Sequence, residues 1–144
     1  MQFNGGWYLC DDGIVRPIMR GEVLAGNGSW RAAEFLVDTG ADRTVFSANV
    51  LEALELEATE AKEQIGGVGG VVDAVVVTTQ IRLTLENANT VVFRGEYAAC
   101  SNQEALDMSV LGRDILNMFA VIIDRTANLV CLLGGRHWYR IEQR

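Results

Sequence analysis

Residues 38–44 read Asp-Thr-Gly-Ala-Asp-Arg-Thr and follow directly on an apolar run, Phe35-Leu36-Val37. A carboxylate at the end of a buried strand, on a turn that Thr39 can hydrogen-bond and Gly40 can keep narrow, is held in place with its oxygens open. Such a group is suited to general acid or base work. Two of them at one spot do more than one. Like charges in close contact cannot both ionise, so the pair presents an acid and a base together. The Asp-Thr-Gly element occurs once in the chain, so its partner carboxylate must come from a second chain.

Two further motifs follow in order. Gly66-Gly67-Val68-Gly69-Gly70 places four glycines around one apolar residue. Alone it reads as a flexible loop; at the end of a hairpin its backbone groups could bond a guest peptide. Val110-Leu111-Gly112-Arg113-Asp114 is an apolar pair and a glycine turn leading into a helix, which alone is an ordinary junction.

Together, in this order, the three motifs resemble the retropepsin-like aspartic peptidases of retroviruses, retroelements and some cellular and bacterial proteins. The resemblance covers residues 15–133. It implies an all-β fold, a closed barrel-like acid-protease lobe with one or two short helices, working as a two-fold homodimer on peptide or protein substrates without metal or cofactor. Asp38 matches the catalytic aspartate, and Thr39 the threonine that bonds across the two-fold axis. Gly40, Ala41 and Asp42 match positions that contact substrate backbone. Gly66, Gly67, Val68, Gly69 and Gly70 match the flap, with Val68 at its tip. Arg113 matches the arginine that pairs with Asp42; a buried pair of that kind would be chiefly structural. Arg16-Pro17 resembles the pair whose arginine reaches the other subunit in viral members. The segment after Ser47 and the hairpin over 119–133 exceed the shortest viral enzymes, whose chain ends interleave in the dimer; they are closer to retroelement and cellular members. The other reading is a fold of this kind used for dimerisation or peptide binding without catalysis.

The elements that must position these groups follow from pattern. Residues 14–24 read as a strand broken near Arg16-Pro17, residues 25–29 (Ala-Gly-Asn-Gly-Ser) as a tight turn, and 30–37 as the returning strand that delivers Asp38. Ser47 can cap a helix to about residue 56 with Val50, Leu51 and Leu54 on one face. Residues 71–85 form one bent strand or two, and 90–99 another across the turn at 86–89. Residues 101–107 are a loop or a helical turn, 110–112 a short strand, and 114–118 a short helix. A hairpin joins 119–124 to 129–133. The sum is seven to ten strands and two helices in one domain over 1–144, with 1–13 and 134–144 as extensions.

Composition agrees with a packed β domain. Apolar residues make up 49% of 144, with fifteen glycines and one proline. A net charge of −7 argues against nucleic acid or an anionic membrane as partner. Cys10, Cys100 and Cys131 are odd in number, far apart and away from His137, so they read as reduced, mostly buried thiols of a cytoplasmic protein. No signal-peptide pattern opens the chain, and no apolar run approaches the ~18 residues of a membrane span. Asp73, Asp107 and Asp124 read as solvated, and Trp7, Trp30 and Trp138 as packing residues. Val68 and Val110 point to apolar side chains beside a scissile bond.

Overall fold

The computed structural model describes residues 1–67, 70–102 and 107–143; for residues 59–67, 70, 72 and 73 it describes the backbone alone. The strands are β1 (Gln2–Asn4), β2 (Gly6–Leu9), β3 (Val15–Leu24), β4 (Trp30–Val37), β5 (Val45–Phe46), β6 (Thr59–Gly67), β7 (Gly70–Thr84), β8 (Thr90–Cys100), β9 (Ser109–Leu111), β10 (Phe119–Asp124) and β11 (Leu129–Gly134). The helices are α1 (Ala48–Leu54) and α2 (Arg113–Leu116). One sheet runs β2-β3-β4-β9-β5-β8-β7-β6, and a further pairing of β3 with β7 closes six of these strands into a barrel. A second sheet has the order β1-β11-β10. The all-β, barrel-like expectation therefore holds, with more strands than pattern alone picks out.

The turn at 25–29 forms as its composition demands. Gly28 takes φ of +85°, Ala25 N–H bonds Ser29 O at 2.8 Å, and Asn27 Oδ1 accepts from Ser29 N–H at 3.0 Å. Ser47 caps α1 by accepting from Val50 N–H at 3.4 Å, but the helix stops at Leu54, where Glu55 turns left-handed at φ 50°. Ala48 and Leu54 are its buried residues; Val50 and Leu51 pack against the core while half-exposed.

Two expectations are corrected. β3 runs unbroken through Arg16 and Pro17, with Pro17 opposite Trp7 of β2. A proline inside a strand loses one donor only, which a short neighbour such as β2 tolerates. Trp138 does not pack: it is 86% exposed, whereas Trp7 donates its Nε1–H to Asp124 O and Leu129 O, and Trp30 stacks under Arg82 at 4.2 Å.

The core holds two aromatic groups. Phe46 lies between Phe35 and Tyr97, at centroid distances of 6.1 and 5.7 Å. Phe3 of the small sheet packs on Phe93 of the barrel and on Phe119, at 6.3 and 5.4 Å, tying the two sheets together. Cys100 and Cys131 are buried, which pushes both thiols up and keeps them unreactive; no cysteine is paired. Among the described residues no helix is long and apolar enough to cross a membrane.

Two outcomes follow for the folded chain. Phe46 is fully buried, so Phe46→Ala should cost about 3–5 kcal/mol in a urea unfolding titration, and Phe46→Leu clearly less. Asp12 holds Arg16 through two hydrogen bonds, of 2.8 and 2.6 Å, and accepts from Ile14 N–H. The Arg16 hydrogen bond leads in holding its carboxyl down at about 2 against an ordinary 3.8. The pair thus steadies the β2–β3 hairpin fully above pH 3.8 and is lost as the pH falls through about 2. An NMR titration should place the Asp12 midpoint near 2 in the native chain and return it toward 3.8 in Arg16→Ala.

Candidate active site

Strand β4 ends at Val37, and the chain re-enters the same sheet at β5 only after β9 has been inserted between them. β9 pairs parallel with β4, Val37 opposite Leu111, and antiparallel with β5 through Val45 and Val110. The loop 38–44 must therefore pass over the end of β9. Asp38 extends the parallel ladder by one bond, its N–H reaching Leu111 O at 3.2 Å. Its carboxylate is half-exposed where the two strands part.

The turn closes on this carboxylate. Gly40 N–H donates to Asp38 Oδ1 at 2.9 Å, and Ala41 N–H to Asp38 O at 3.2 Å. Asp38 Oδ2 receives no bond from the described residues. Gly40 does not take a positive φ; its requirement is steric, because a Cβ there would stand 3.1 Å from Asp38 Oδ1. Thr39, Gly40 and Asp42 are exposed, and Ala41 is half-exposed.

The Val110-Leu111-Gly112-Arg113-Asp114 segment lies against this loop. A Cβ on Gly112 would fall 2.3 Å from the Arg43 carbonyl carbon and oxygen, so only glycine lets the two chain segments cross. Arg113 N–H bonds Ala41 O at 2.8 Å, and its guanidinium donates to Thr39 O at 3.1 Å and to Asp42 Oδ1. The Arg113–Asp42 pair thus forms within one chain, but it is not buried there: the side chains are 44% and 82% exposed. Its stabilising role in the isolated chain is consequently small, and the cost of a buried pair does not apply. Arg16 is engaged with Asp12 of its own chain.

Pattern reading passed over Asp114. Its carboxylate accepts from Thr44 N–H at 3.0 Å, from Thr44 Oγ1–H at 2.7 Å and from Ile115 N–H at 2.9 Å. Thr44 is fully buried, and its Oγ1 in turn accepts from Gly112 N–H at 3.1 Å. The charge of Asp114 also reaches Tyr97, which burial first and this carboxylate second push up to about 12. The available signal was Thr44 itself, a hydroxyl inside an apolar stretch that needs a partner.

Of the expected flap, Gly66 pairs with Val71 and Gly67 with Gly70 across the β6–β7 hairpin; Val68 and Gly69 lie outside the described residues. Val110 is 7% exposed in the barrel wall, facing Leu36 and Val45, so it offers little surface to a substrate. Asp107 and Asp124 are exposed as expected.

Comparison with known proteins gives a family and a fold. The family model described as gag-polyprotein putative aspartyl protease matches residues 26–118. A retropepsin-like aspartic protease from Rickettsia conorii superposes with a TM-score of 0.59 at 19% identity, covering 92% of this chain and 98% of that one. EIAV protease, solved with the inhibitor HBY-793, gives a TM-score of 0.49 at 24% identity over 68% of this chain and 84% of that one. No curated protein matches.

Removing the Asp114 acceptor should loosen the loop. Asp114→Ala leaves the buried Thr44 N–H and hydroxyl without their partner, and should lower unfolding free energy by about 1–3 kcal/mol. Asp114→Asn keeps one acceptor oxygen and should lose less. Arg113→Ala, acting on an exposed pair, should change the stability of the isolated chain by less than about 1 kcal/mol. Chemical denaturation of the three variants checks the order.

Proposed function

The chain belongs to the gag-polyprotein aspartyl protease family, and from that premise we propose that it is a homodimeric aspartic endopeptidase. The observation that carries the reading is the half-site. One carboxylate, Asp38, stands at the parting of β4 and β9 on a turn held by Gly40 N–H on Asp38 Oδ1 and by Arg113 on Thr39 O, with Asp38 Oδ2 left open among the described residues.

Two copies related by a two-fold axis bring the Asp38 carboxylates within reach of one water. The pair holds a single proton between them. The ionised member takes a proton from the water as the water attacks the scissile carbonyl carbon, and the protonated member donates to the carbonyl oxygen. The titration belongs to the dyad and not to either copy. Thr39 braces the paired turns across the axis. Gly40, Ala41 and Asp42 offer backbone and carboxylate to the substrate, and Arg113 holds Asp42 and the Thr39 carbonyl in position. The hairpin with Gly66 and Gly67 on one side and Gly70 on the other covers an extended peptide as an added strand.

A mixed peptide library incubated between pH 4 and 7 tests this. The native chain should cleave, and Asp38→Asn should lose the activity by at least a thousandfold. Cleavage that persists in Asp38→Asn, or is absent from the native chain at every concentration, would sink the assignment. Because each chain holds half a site, specific activity should rise with protein concentration, in step with dimer formation measured by sedimentation.

A further inference from the structure

We propose that the hollow between the β2–β3 hairpin and the approach to β9 is a substrate subsite that selects arginine or lysine side chains close to the scissile bond. The proposal rests on the peptidase reading and names the class of peptide that site takes.

Strand register puts the hollow beside Asp38. Ile18 of β3 stands opposite Leu36 of β4, so Arg16, two residues before the one, and Asp38, two residues after the other, reach the same level on the same face of the sheet. Tyr8 of β2 lies opposite Arg16 and shares that face. On the far side of β4, Phe35 is opposite Ser109 and Leu36 opposite Val110, which sets Glu34 beside Met108 on the face of Asp38. The other face sends Met19, Phe35, Val37 and Leu111 into the core. A hollow of about 430 Å³ opens among Tyr8, Arg16, Glu34 and Met108 and extends to Asp11, Asp12 and Asp107. It begins at the level of Asp38 and runs back along β4 as far as Glu34, about 13 Å. A side chain within about four residues of the cleaved bond can therefore reach it.

The lining is acidic in a way the chain does not itself neutralise. Four carboxylates and one guanidinium border the hollow. Asp12 is held by Arg16 at 2.6 Å, and Glu34 by Arg20 at 3.4 Å. Asp11 and Asp107 are exposed and have no cationic partner among the described residues. Two negative charges are thus left for a guest. The wall already shows what it accepts: the Arg20 guanidinium lies 4.0 Å over the Tyr8 ring while reaching Glu34. An aromatic face and a carboxylate there hold a planar cation that the chain supplies. Leu9, 73% exposed, and Met108 add apolar surface along which the methylene stem of arginine or lysine can lie while its head meets the carboxylates. The net charge of −7 draws cationic peptides and repels acidic ones before contact.

Two-fold symmetry doubles the selection. Each copy brings one hollow, whereas a peptide crosses the axis in a single direction. One hollow then faces residues before the cleaved bond and the other faces residues after it, so basic side chains are favoured on both sides.

Cleavage-site profiling tests the subsite. Peptides cut by the native chain from a mixed library should carry arginine or lysine within about four residues of the cut, on either side, above their share of the library, and Asp and Glu below theirs. In one well-cleaved peptide, norleucine in place of the basic residue should lower kcat/KM at least about fivefold. Raising salt from about 0.1 M to about 1 M shortens the Debye length from about 10 Å to about 3 Å and should shrink that ratio. A chain carrying both Asp11→Asn and Asp107→Asn should lose most of the ratio with unchanged far-ultraviolet circular dichroism, and Asp107→Lys should turn the preference toward Glu. Glu52→Gln, on the exposed face of α1, should leave the ratio in place. Cleavage without a basic preference in the native chain, or a preference that survives in the double variant, overturns the subsite and leaves the peptidase reading standing. No cleavage of any peptide by the native chain at every concentration overturns both.

Discussion

The carboxylate of Asp114 is the point from which the site hangs. It collects Thr44 N–H, the Thr44 hydroxyl and Ile115 N–H, and the same hydroxyl receives Gly112 N–H. These bonds join two segments seventy residues apart at the place where the chain must cross itself, because β9 lies between β4 and β5. A crossing of this kind buries backbone donors that no sheet ladder can satisfy. A buried N–H left without a partner costs about 1–3 kcal/mol, and an ionised acceptor makes the stronger kind of hydrogen bond. Gly112 permits the crossing and Asp114 binds it. The turn bearing Asp38 inherits its position from both.

This arrangement separates rigidity from burial. The loop 38–44 is fixed at its far end by a fully buried threonine, yet its first five residues remain half-exposed or exposed. Their polar groups bond inward: Gly40 to Asp38, Arg113 to Thr39 and Asp42. A surface organised before any partner arrives loses little conformational freedom on association. The exposed Arg113–Asp42 pair fits the same logic. Its worth in the isolated chain is slight, and it grows only where a second surface excludes water from it.

Much of this was legible in residue order, and the parts that were not share a cause. Asp38-Thr39-Gly40 and the glycine of Leu111-Gly112-Arg113 are local signals, and the hairpin turn at 25–29 is set by Gly28 within five residues. β5 has two residues, and β6 is polar and charged, so neither shows a period long enough to read. β3 passes through Pro17 because only the short β2 lies beside that position, which is a property of the sheet and not of the dipeptide. The bond between Thr44 and Asp114 could not be read from spacing at all, since it depends on β9 entering between two strands that are neighbours in sequence. Gly40 was expected to keep the turn narrow, and the contact that limits it, a Cβ against Asp38 Oδ1, is visible only in the folded chain.

The same sheet supports the Asp38 turn and the glycine hairpin differently, and strand β7 shows how. From Ala74 to Thr84 it is paired with β8, and at Ile81 and Arg82 also with β3, so it is part of the barrel wall. From Gly70 to Asp73 it is paired with β6 alone. One continuous strand thus passes from a closed barrel into a two-stranded ribbon. A two-stranded ribbon has marginal stability by itself, whereas a closed barrel has no free edge to fray. Asp38 is seated where three strands and a helix turn converge, and the glycines of the hairpin lie where support is thinnest. The proposed endopeptidase activity, which would hold a carboxylate fixed while admitting and releasing an extended peptide, calls for both conditions in one domain. Both conditions follow from where β8 stops pairing with β7.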